Sequence, residues 1–319
     1  MTQKQENQIA AMKAQTIGVE IEMNNITREK AAKIAAEFFG TAHFEYTAWQ
    51  DGYETWSAWD AQGRKWKFQR DSSIHGPESQ KCEMVTPHPF HYEDIETLQE
   101  LVRVLRKAGA KSDYTRGCGV HIHIGAQGHT PQTLRNLANI MASHEELLVD
   151  ALKLDRNDPN RYGHYCKPVN QNFLTRLNRQ KPTTMAKLAD IWYEGNGADY
   201  GRDRHYNMSR YHMLNLHATF TKGTVEFRLF QFDPPADGKQ NGLHAGALKS
   251  WIQLCLAMSQ MAKDQRSASP RPQQTDNPKY AMRTWLLRLG FIGDEFATAR
   301  DLLTRNLAGD AAFRNGRTA

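Results

Sequence analysis

TIGVEIEMN, residues 16–24, sets the pattern from which the fold is predicted. Apolar Val19 and Ile21 alternate with acidic Glu20 and Glu22, and an alternation of period two is typical of a β-strand. Because successive side chains of a strand point to opposite faces of its sheet, both carboxylates are expected on one face. The stretch therefore predicts a half-buried strand whose polar face carries two neighbouring acids.

Other predicted strands repeat this arrangement. A lone Glu-x-Glu pair most often marks a solvated face, but several short strands with nearly pure carboxylate or imidazole positions favour a shared site. Glycines accompany them, and a glycine lets a ligand or another backbone approach closely. The polar positions are Glu83 in KCEMVTPHP (81–89), His121 and His123 in CGVHIHIG (118–125), Asn215 and His217 in YHMLNLHATF (211–220), and Glu226 and Arg228 in TVEFRLF (224–230), and the glycines are Gly18, Gly119, Gly125 and Gly223.

Convergence of these strands in one sheet would bring carboxylates together. Like charges a few ångströms apart do not all stay ionised unless cations offset them, so the cluster predicts bound divalent metal. Oxygen-rich coordination favours Mg2+ or Mn2+, and both ions tolerate one imidazole ligand. The His-x-His pair leaves zinc as an alternative, although HExxH is absent, because Leu148 stands where a second histidine would follow His144 and Glu145.

The sequence contains neither a GxxxxGK[ST] phosphate loop nor a GxGxxG motif. A bound nucleotide would therefore be held by metal ions and cationic side chains. Arg228 suits this role, because it lies on the same strand face as Glu226 and a guanidinium can bind phosphoryl oxygens through two hydrogen bonds. The structural alternative for Arg228 is a salt bridge to Glu226 or to another acid.

The remaining segments predict helices, hairpins and a long polar region. Residues 155–208 are rich in Asn, Arg and Tyr and are expected to form loops around one or two short helices. The other predicted elements are a helix capped by Thr27 and ended by Gly40, a hairpin over 44–70, helices over 92–109, from Thr130 and Pro131, and over 240–263, and a second hairpin over 211–230. We predict a catalytic domain over residues 1–263, a linker over 264–280 and a C-terminal helical extension over 281–319, whose RNGRTA tail is expected to fray.

The composition is that of an ordinary globular protein. The 319 residues carry a formal charge of +6, but Lys and Arg are scattered without a block of like charges, so no nucleic-acid partner is expected. No apolar run approaches the roughly 18 residues of a membrane span. The N-terminus lacks a secretory signal pattern, so a cytoplasmic location is expected. The four cysteines lack paired spacing and are expected to be reduced thiols.

Five segments, taken in order, resemble the superfamily of glutamine synthetase and glutamate–cysteine ligase, and most closely the amidoligase family within it. They are GVEIEM at 18–23, RDSSI at 70–74, CEMVTPHP at 82–89, CGVHIHIG at 118–125 and TVEFRLF at 224–230. The resemblance implies an α+β glutamine synthetase-like fold, with a curved, mostly antiparallel sheet and helices packed on its convex face. It also implies an ATP-dependent carboxylate–amine ligase that forms an amide through an acyl phosphate at a site with several Mg2+ ions.

The resemblance further implies a role for each matching residue. Glu20 and Glu22 would divide between the nucleotide-side and substrate-side metals, Glu83 would be a further ligand on the substrate side, His121 would join the nucleotide-side metal, and Glu226 would be the last carboxylate ligand. His123 would lie near ATP, Arg228 would contact the transferring phosphoryl group, and Asp71 would be an acidic catalytic residue before Ser72.

Departures from the pattern limit what the resemblance implies. Thr224 stands where glutamine synthetases carry a phosphate-binding arginine, and no segment matches their loop over ammonia, so a glutamine synthetase proper is not expected. Arginines that could supply the missing charge, each with surface solvation as the alternative, are Arg70, Arg161, Arg202, Arg204 and Arg210. The carboxylate and amine substrates stay open among amino acids, peptides and protein termini. Two rival functions are a metal-dependent hydrolase that uses His121 and His123, and a non-catalytic binding module.

Overall fold

The computed structural model describes residues 2–50, 52–235, 242–272 and 274–314. Most of the RNGRTA tail and the first two residues of the helix predicted over 240–263 lie outside these ranges. In chain order the strands are β1 Ile17–Met23, β2 Phe44–Tyr46, β3 Trp56–Trp59, β4 Lys65–Gln69, β5 Cys82–Val85, β6 Val120–Gly125, β7 Leu214–Asn215 and β8 Thr224–Phe230. The α-helices are α1 Gln3–Lys13, α2 Arg28–Phe38, α3 Ile95–Lys107, α4 Pro131–Ala151, α5 Gln171–Gln180, α6 Met185–Gly195, α7 His217–Thr221, α8 Ala245–Asp264, α9 Pro278–Arg288 and α10 Ala297–Thr304.

The chain divides into two compact units. Thr16–His123 and Phe230–Lys249 form what we call the sheet unit. Met1–Gln15, Ile124–Leu229 and Ser250–Ala319 form the helical unit. Antiparallel strands and helices occur together in the chain, so the predicted α+β class is confirmed.

In the sheet unit the strand order is β2-β3-β4-β5-β1-β6. β3 and β4 form the predicted hairpin, and β5 pairs antiparallel with both β4 and β1. The Glu22 N–H donates to the Gly119 carbonyl, and Gly18 lies against His123. Residue numbers thus rise along β6 as they fall along β1, so the two strands are antiparallel. This register decides which polar side chains face one another.

α2 packs on strands of this unit, and α3 packs against α2. α2 begins after Thr27, whose hydroxyl accepts a hydrogen bond from the Lys30 N–H, and it buries four alanines that allow close packing on β2, β3 and β4. α3 buries Leu98, Leu101, Val102 and Leu105 along one stripe. The polar face is also shielded, since Glu22, Glu83, His121 and His123 each expose no more than 6% of their surface. The polar positions of β5 and β6 are thus buried, whereas Glu20 of β1 and Gln69 of β4 are half-buried.

The helical unit contains the long helices α4 and α8 together with both chain ends. Asn136 of α4 donates to the Ala262 carbonyl of α8, and Gln15 donates to the Leu256 carbonyl. α1, which the sequence patterns did not predict, begins at a capping box between Thr2 and Gln5. α5 and α6 are the short helices expected within 155–208.

The second hairpin, predicted over residues 211–230, is wrong in its first half. Thr224–Phe230 forms β8 as expected, but in the first arm the strand is confined to Leu214 and Asn215, which pair with Phe227 and Glu226. The Asn215 side chain accepts a hydrogen bond from the His217 N–H at 2.8 Å, a local bond that turns the chain into α7. His217 therefore stands on a helix and not beside Glu226 on a strand face.

No helix among the residues that the structure describes has both the length and the apolar character needed to cross a bilayer. The boundaries predicted for the catalytic domain, the linker and the C-terminal extension stay predictions. The four cysteines are free and buried, as expected from their spacing.

Candidate functional site

A row of polar side chains crosses β4, β5 and β1 in the sheet unit. Glu22 lies directly opposite Glu83, and Glu83 lies opposite Gln69. Gln69 donates to Glu83 Oε2 at 2.6 Å, and the Gly119 N–H donates to Glu22 Oε2 at 2.5 Å. These neutral donors fix the orientation of each carboxylate, although two acids directly across a strand pair repel each other.

Both histidines of the His-x-His pair reach the first acid of β1. His121 Nδ1 lies 3.1 Å from Glu20 Oε2, and His123 Nε2 lies 3.4 Å from Glu20 Oε1. His121 Nε2 also lies 3.8 Å from Glu22 Oε1, so its ring stands between the two carboxylates. We call Glu20, Glu22, Glu83, His121 and His123 the carboxylate cluster. The structure brings these five predicted residues together.

Burial and neighbouring acids perturb the cluster. The pKa of Glu83 is raised well above its ordinary value, first by burial and then by the negative charges of Glu20, Asp71 and Glu22, while the bond from Gln69 opposes the shift. Asp71, which lies outside the strands, accepts hydrogen bonds from the Ser73 N–H at 2.7 Å and its hydroxyl at 2.6 Å. Asp71 therefore acts on Glu83 through its charge and is held in place by a local turn.

Glu22, Glu83 and His121 offer ligand atoms that all lie within 4.8 Å of one another. Two carboxylates and one imidazole form an oxygen-rich donor set, which suits Mg2+ or Mn2+. A divalent cation would also offset the repulsion that raises the pKa of Glu83. The donor chemistry thus fits the predicted metal.

The helical unit holds the remaining predicted site residues on β8. Arg228 Nη1 donates to Glu226 Oε1 at 2.5 Å, and Asn215 Nδ2 donates to Glu226 Oε2 at 2.6 Å. Glu226 exposes 1% of its surface and Arg228 6%. We call Glu226, Arg228 and Asn215 the β8 cluster. The salt bridge considered for Arg228 from the sequence is present in it.

The guanidinium of Arg228 contacts an aromatic ring and a backbone carbonyl. Its carbon lies 5.8 Å from the centre of the Tyr211 ring, and its Nε donates to the Tyr165 carbonyl at 3.4 Å. Tyr165 packs edge-on against Tyr211, with ring centres 5.5 Å apart. Arg210 lies over Tyr211 as well, 5.7 Å from its centre. A second guanidinium thus contacts the ring that Arg228 contacts.

The family comparison agrees with the motifs. The family described as "Putative amidoligase enzyme" has a model that matches residues 13–259, most of the chain. The chain belongs to this amidoligase family. Its predicted membership is confirmed, and an amidoligase is a ligase-type enzyme that forms C–N bonds.

The other comparisons concern curated proteins and solved structures. No curated protein matches the sequence. Among solved structures, this amidoligase is similar to a bifunctional glutathione synthetase from Pasteurella multocida, at 14% sequence identity and a TM-score of 0.43. The match covers 96% of this chain and 49% of the other, so the amidoligase spans about half the length of that protein.

Gln69 and the Gly119 N–H, which orient the two central acids of this amidoligase, were missed from the sequence. Alternation in β4 was a usable signal for Gln69, because Trp66 and Phe68 are buried on the face opposite to it. The contact of the Gly119 N–H with Glu22 depends on the register between β1 and β6, and no sequence motif indicates that register. Tyr211 was also missed, since it lies in a stretch that was read as a strand.

The five arginines proposed as extra positive charge have different surroundings. Arg70 pairs with Glu78, Arg202 pairs with Asp190 and Asp199, Arg161 donates to the Arg228 carbonyl, Arg204 is exposed, and Arg210 is buried. Surface pairing or solvation thus accounts for Arg70, Arg202 and Arg204. Arg161 and Arg210 are not explained in this way, and of the two Arg210 is the buried one.

Proposed function

We propose that this amidoligase is an ATP-dependent carboxylate–amine ligase. A substrate carboxylate attacks the γ-phosphorus of ATP and releases ADP, which gives an acyl phosphate. An amine then attacks the acyl carbon, phosphate leaves, the amine loses a proton, and an amide bond has formed. The observation that carries the proposal is the buried set of Glu22, Glu83 and His121, whose ligand atoms lie within 4.8 Å of one another in a member of a C–N-forming family.

Glu22, Glu83 and His121 would hold one divalent ion, with Glu20 as a neighbouring ligand, and the family resemblance adds Glu226. Bound Mg2+ or Mn2+ neutralises charge on phosphoryl oxygens, which is where electrostatic stabilisation has its largest effect in phosphoryl transfer. A glutamine synthetase-like catalytic fold is part of the same proposal.

The protein's own groups prepare this site. Gln69 and the Gly119 N–H hold the carboxylates of Glu83 and Glu22 before any ligand binds, so little reorganisation remains when charge develops. Glu20 orients the ring of His121 through Nδ1, which leaves Nε2 on the side of Glu22.

The remaining roles follow the resemblance. Arg228 would contact the transferring phosphoryl group, and its five N–H donors allow this beside the bond that it makes to Glu226. His123 would lie near the nucleotide, and Asp71 would act as a further acidic residue of the reaction.

Release of ADP from ATP tests the proposal, with pools of carboxylates and amines added singly and together. We expect ADP release that requires both pools, and we expect Glu22→Gln and Glu83→Gln to lower it by at least about 100-fold. Glu96→Gln, which changes an exposed acid of α3, is the matched control and should keep the wild-type rate.

Wild-type rates in Glu22→Gln and Glu83→Gln would overturn the assignment of the site. Stoichiometric zinc in the purified protein, together with cleavage that needs no ATP, would instead support the hydrolase alternative.

A further inference from the structure

Arg210 is a buried cation in the helical unit, at the end of the short turn Met208–Arg210. It exposes 8% of its surface, and its Nη1 donates to the His205 carbonyl at 3.1 Å. Among the residues that the structure describes, no carboxylate pairs with it. A buried charge is strongly unfavourable unless it is paired and hydrogen-bonded, so this guanidinium calls for an explanation.

Aromatic rings hold Arg210 without neutralising it. The guanidinium carbon lies 5.6 Å from the centre of the Tyr206 ring and 5.7 Å from that of Tyr211. Cation–π contacts of this kind fix the position of a guanidinium but supply no negative charge. Nη1 is the Arg210 nitrogen that donates to another residue in the described part of the chain, which leaves Nε and Nη2 to donate to an anion.

Other arginines of the same unit show what a structural role looks like. Arg202 donates to Asp190 at 2.7 Å and also bonds to Asp199, while Arg228 donates to Glu226 at 2.5 Å. Each therefore has a protein carboxylate. Arg210 is more buried than Arg202, which keeps 36% of its side chain exposed, and yet Arg210 has no such partner in the described part of the chain.

We propose that Arg210, framed by Tyr206 and Tyr211, binds a carboxylate of an amino-acid or peptide substrate, distinct from the carboxylate that is activated. Arg210 would thus determine which substrates the ligase accepts. The identity of the ligand as a substrate rests on the proposed function, whereas the binding of a carboxylate by Arg210 does not.

Charge balance favours a carboxylate over a phosphate. Arg228, which shares the Tyr211 ring, is already offset by Glu226. The pKa of His217 is lowered chiefly by burial and also by the charge of Arg210, so the charged form of this imidazole is disfavoured. One uncompensated positive charge matches one carboxylate, whereas a phosphate monoester brings a charge of about −1.5 to −2. The planar guanidinium can also bind both carboxylate oxygens at once.

Nuclear magnetic resonance of the 15N-arginine-labelled protein tests binding without turnover. The side-chain N–H signal of Arg210 is assigned from its loss in Arg210→Lys. Three probes are titrated: a pool of amino acids and dipeptides as free acids, the same pool as C-terminal amides, and inorganic phosphate. We expect the signal to shift with the free acids, at least about tenfold less with the amides at equal concentration, and in the same way in the control Arg202→Gln.

No shift with the free acids would overturn the proposal, and an equal shift with the amides would do the same. A shift by phosphate at lower concentration than by the free acids would reject the carboxylate in favour of a phosphoryl group. None of these outcomes depends on ligase activity, so failure of the proposed function is distinguishable from failure of this site.

Kinetics separate a binding role from a structural one. Arg210→Gln and Arg210→Lys are expected to raise the KM of one substrate, not ATP, by at least about tenfold, because a charge-assisted pair of hydrogen bonds is lost or loses its planar geometry. Arg202→Gln should leave each KM unchanged. Circular dichroism establishes that the variants are folded. Wild-type KM values in a folded Arg210→Lys protein would contradict the assignment.

Discussion

A buried acid has opposite surroundings in the carboxylate cluster of the sheet unit and in the β8 cluster of the helical unit. Glu83 has a neutral hydrogen-bond partner, Gln69, and its pKa is raised by burial and by neighbouring acids. Glu226 is equally buried, but it accepts bonds from Arg228 and Asn215. The first acid is destabilised by its surroundings and the second is paired within the protein.

This difference indicates where an external ligand has most to add. A cation stabilises the carboxylate cluster because it relieves the repulsion around Glu83. An anion stabilises the surroundings of Arg210, where a guanidinium is buried without a protein carboxylate in the described part of the chain. Substitution of Glu83 removes an acid that its neighbours repel, whereas substitution of Glu226 removes an acid that is paired, so the two are expected to change stability with opposite signs.

Glu226→Gln should give the largest effect. The substitution leaves the buried guanidinium of Arg228 without its carboxylate, so we expect the free energy of unfolding to fall by about 3–5 kcal/mol. Urea denaturation in EDTA measures this change. The double variant Glu226→Gln with Arg228→Met should recover most of the loss, since an apolar replacement removes the unpaired charge.

Glu83→Gln is the matched counterpart in the carboxylate cluster. Because the folded-state pKa of Glu83 is raised, its stabilising contribution is complete below the pKa of an unfolded glutamate and is lost as the pH rises through the folded value. The metal-free variant should thus be at least as stable as the wild type, with a gain that grows with pH. Destabilisation by Glu83→Gln as large as that by Glu226→Gln would remove the distinction between the two clusters.

Addition of metal should give the next largest effect. An ion that binds the folded state at about 100 times its dissociation constant stabilises it by about 2.7 kcal/mol. We expect Mg2+ or Mn2+ to raise the unfolding free energy of the EDTA-treated wild type by this amount and that of Glu22→Gln by much less. Thermal unfolding monitored by circular dichroism at fixed ionic strength provides the measurement.

The exposed-acid variant Glu96→Gln should respond to metal as the wild type does. A wild-type protein that neither Mg2+ nor Mn2+ stabilises would contradict the metal assignment for Glu22, Glu83 and His121.

Much of the carboxylate cluster could be predicted because strand alternation is a local property. The period of two residues placed Glu20 and Glu22 on one face, and the repetition of the pattern at Glu83 and His121 indicated a common site. The pairing of Glu22 with Glu83 and the donor from Gln69 could not be predicted, because register depends on contacts between strands that are distant in sequence.

The surroundings of the β8 cluster were less predictable for a similar reason. Alternation of apolar and polar residues in YHMLNLHATF favoured a strand, but the Asn215 side chain bonds to the His217 N–H and starts a helix. Arg202 and Arg210 are close in sequence, and only tertiary contacts make the first an ion-pair residue and the second a buried cation. The helix over Gln3–Lys13 had a usable signal, the Thr2–Gln5 capping box.

Glu145 of α4 should give the smallest change in the free energy of unfolding among these predictions. It tests whether a raised carboxylate pKa alone marks a metal site. Burial raises its pKa to about 7, while its bond from the Val169 N–H at 2.7 Å opposes the shift. Its stabilising contribution is therefore complete below the pKa of an unfolded glutamate and is lost as the pH rises towards 7. Relative to Glu145→Gln, which keeps an acceptor for Val169, the wild type should lose about 1.4 kcal/mol per pH unit between roughly pH 5 and 6.

Urea denaturation of both proteins at several pH values measures this slope, and Mg2+ should leave the difference between them unchanged. The reason is that Glu145 belongs to neither cluster, so its raised pKa reflects burial and the nearby charge of Glu146 and not a convergence of ligands. A metal-dependent difference between wild type and Glu145→Gln would mean that a raised carboxylate pKa does not separate the carboxylate cluster from an ordinary buried acid. A flat difference from pH 5 to 7 would show that Glu145 is solvated well enough to ionise without cost.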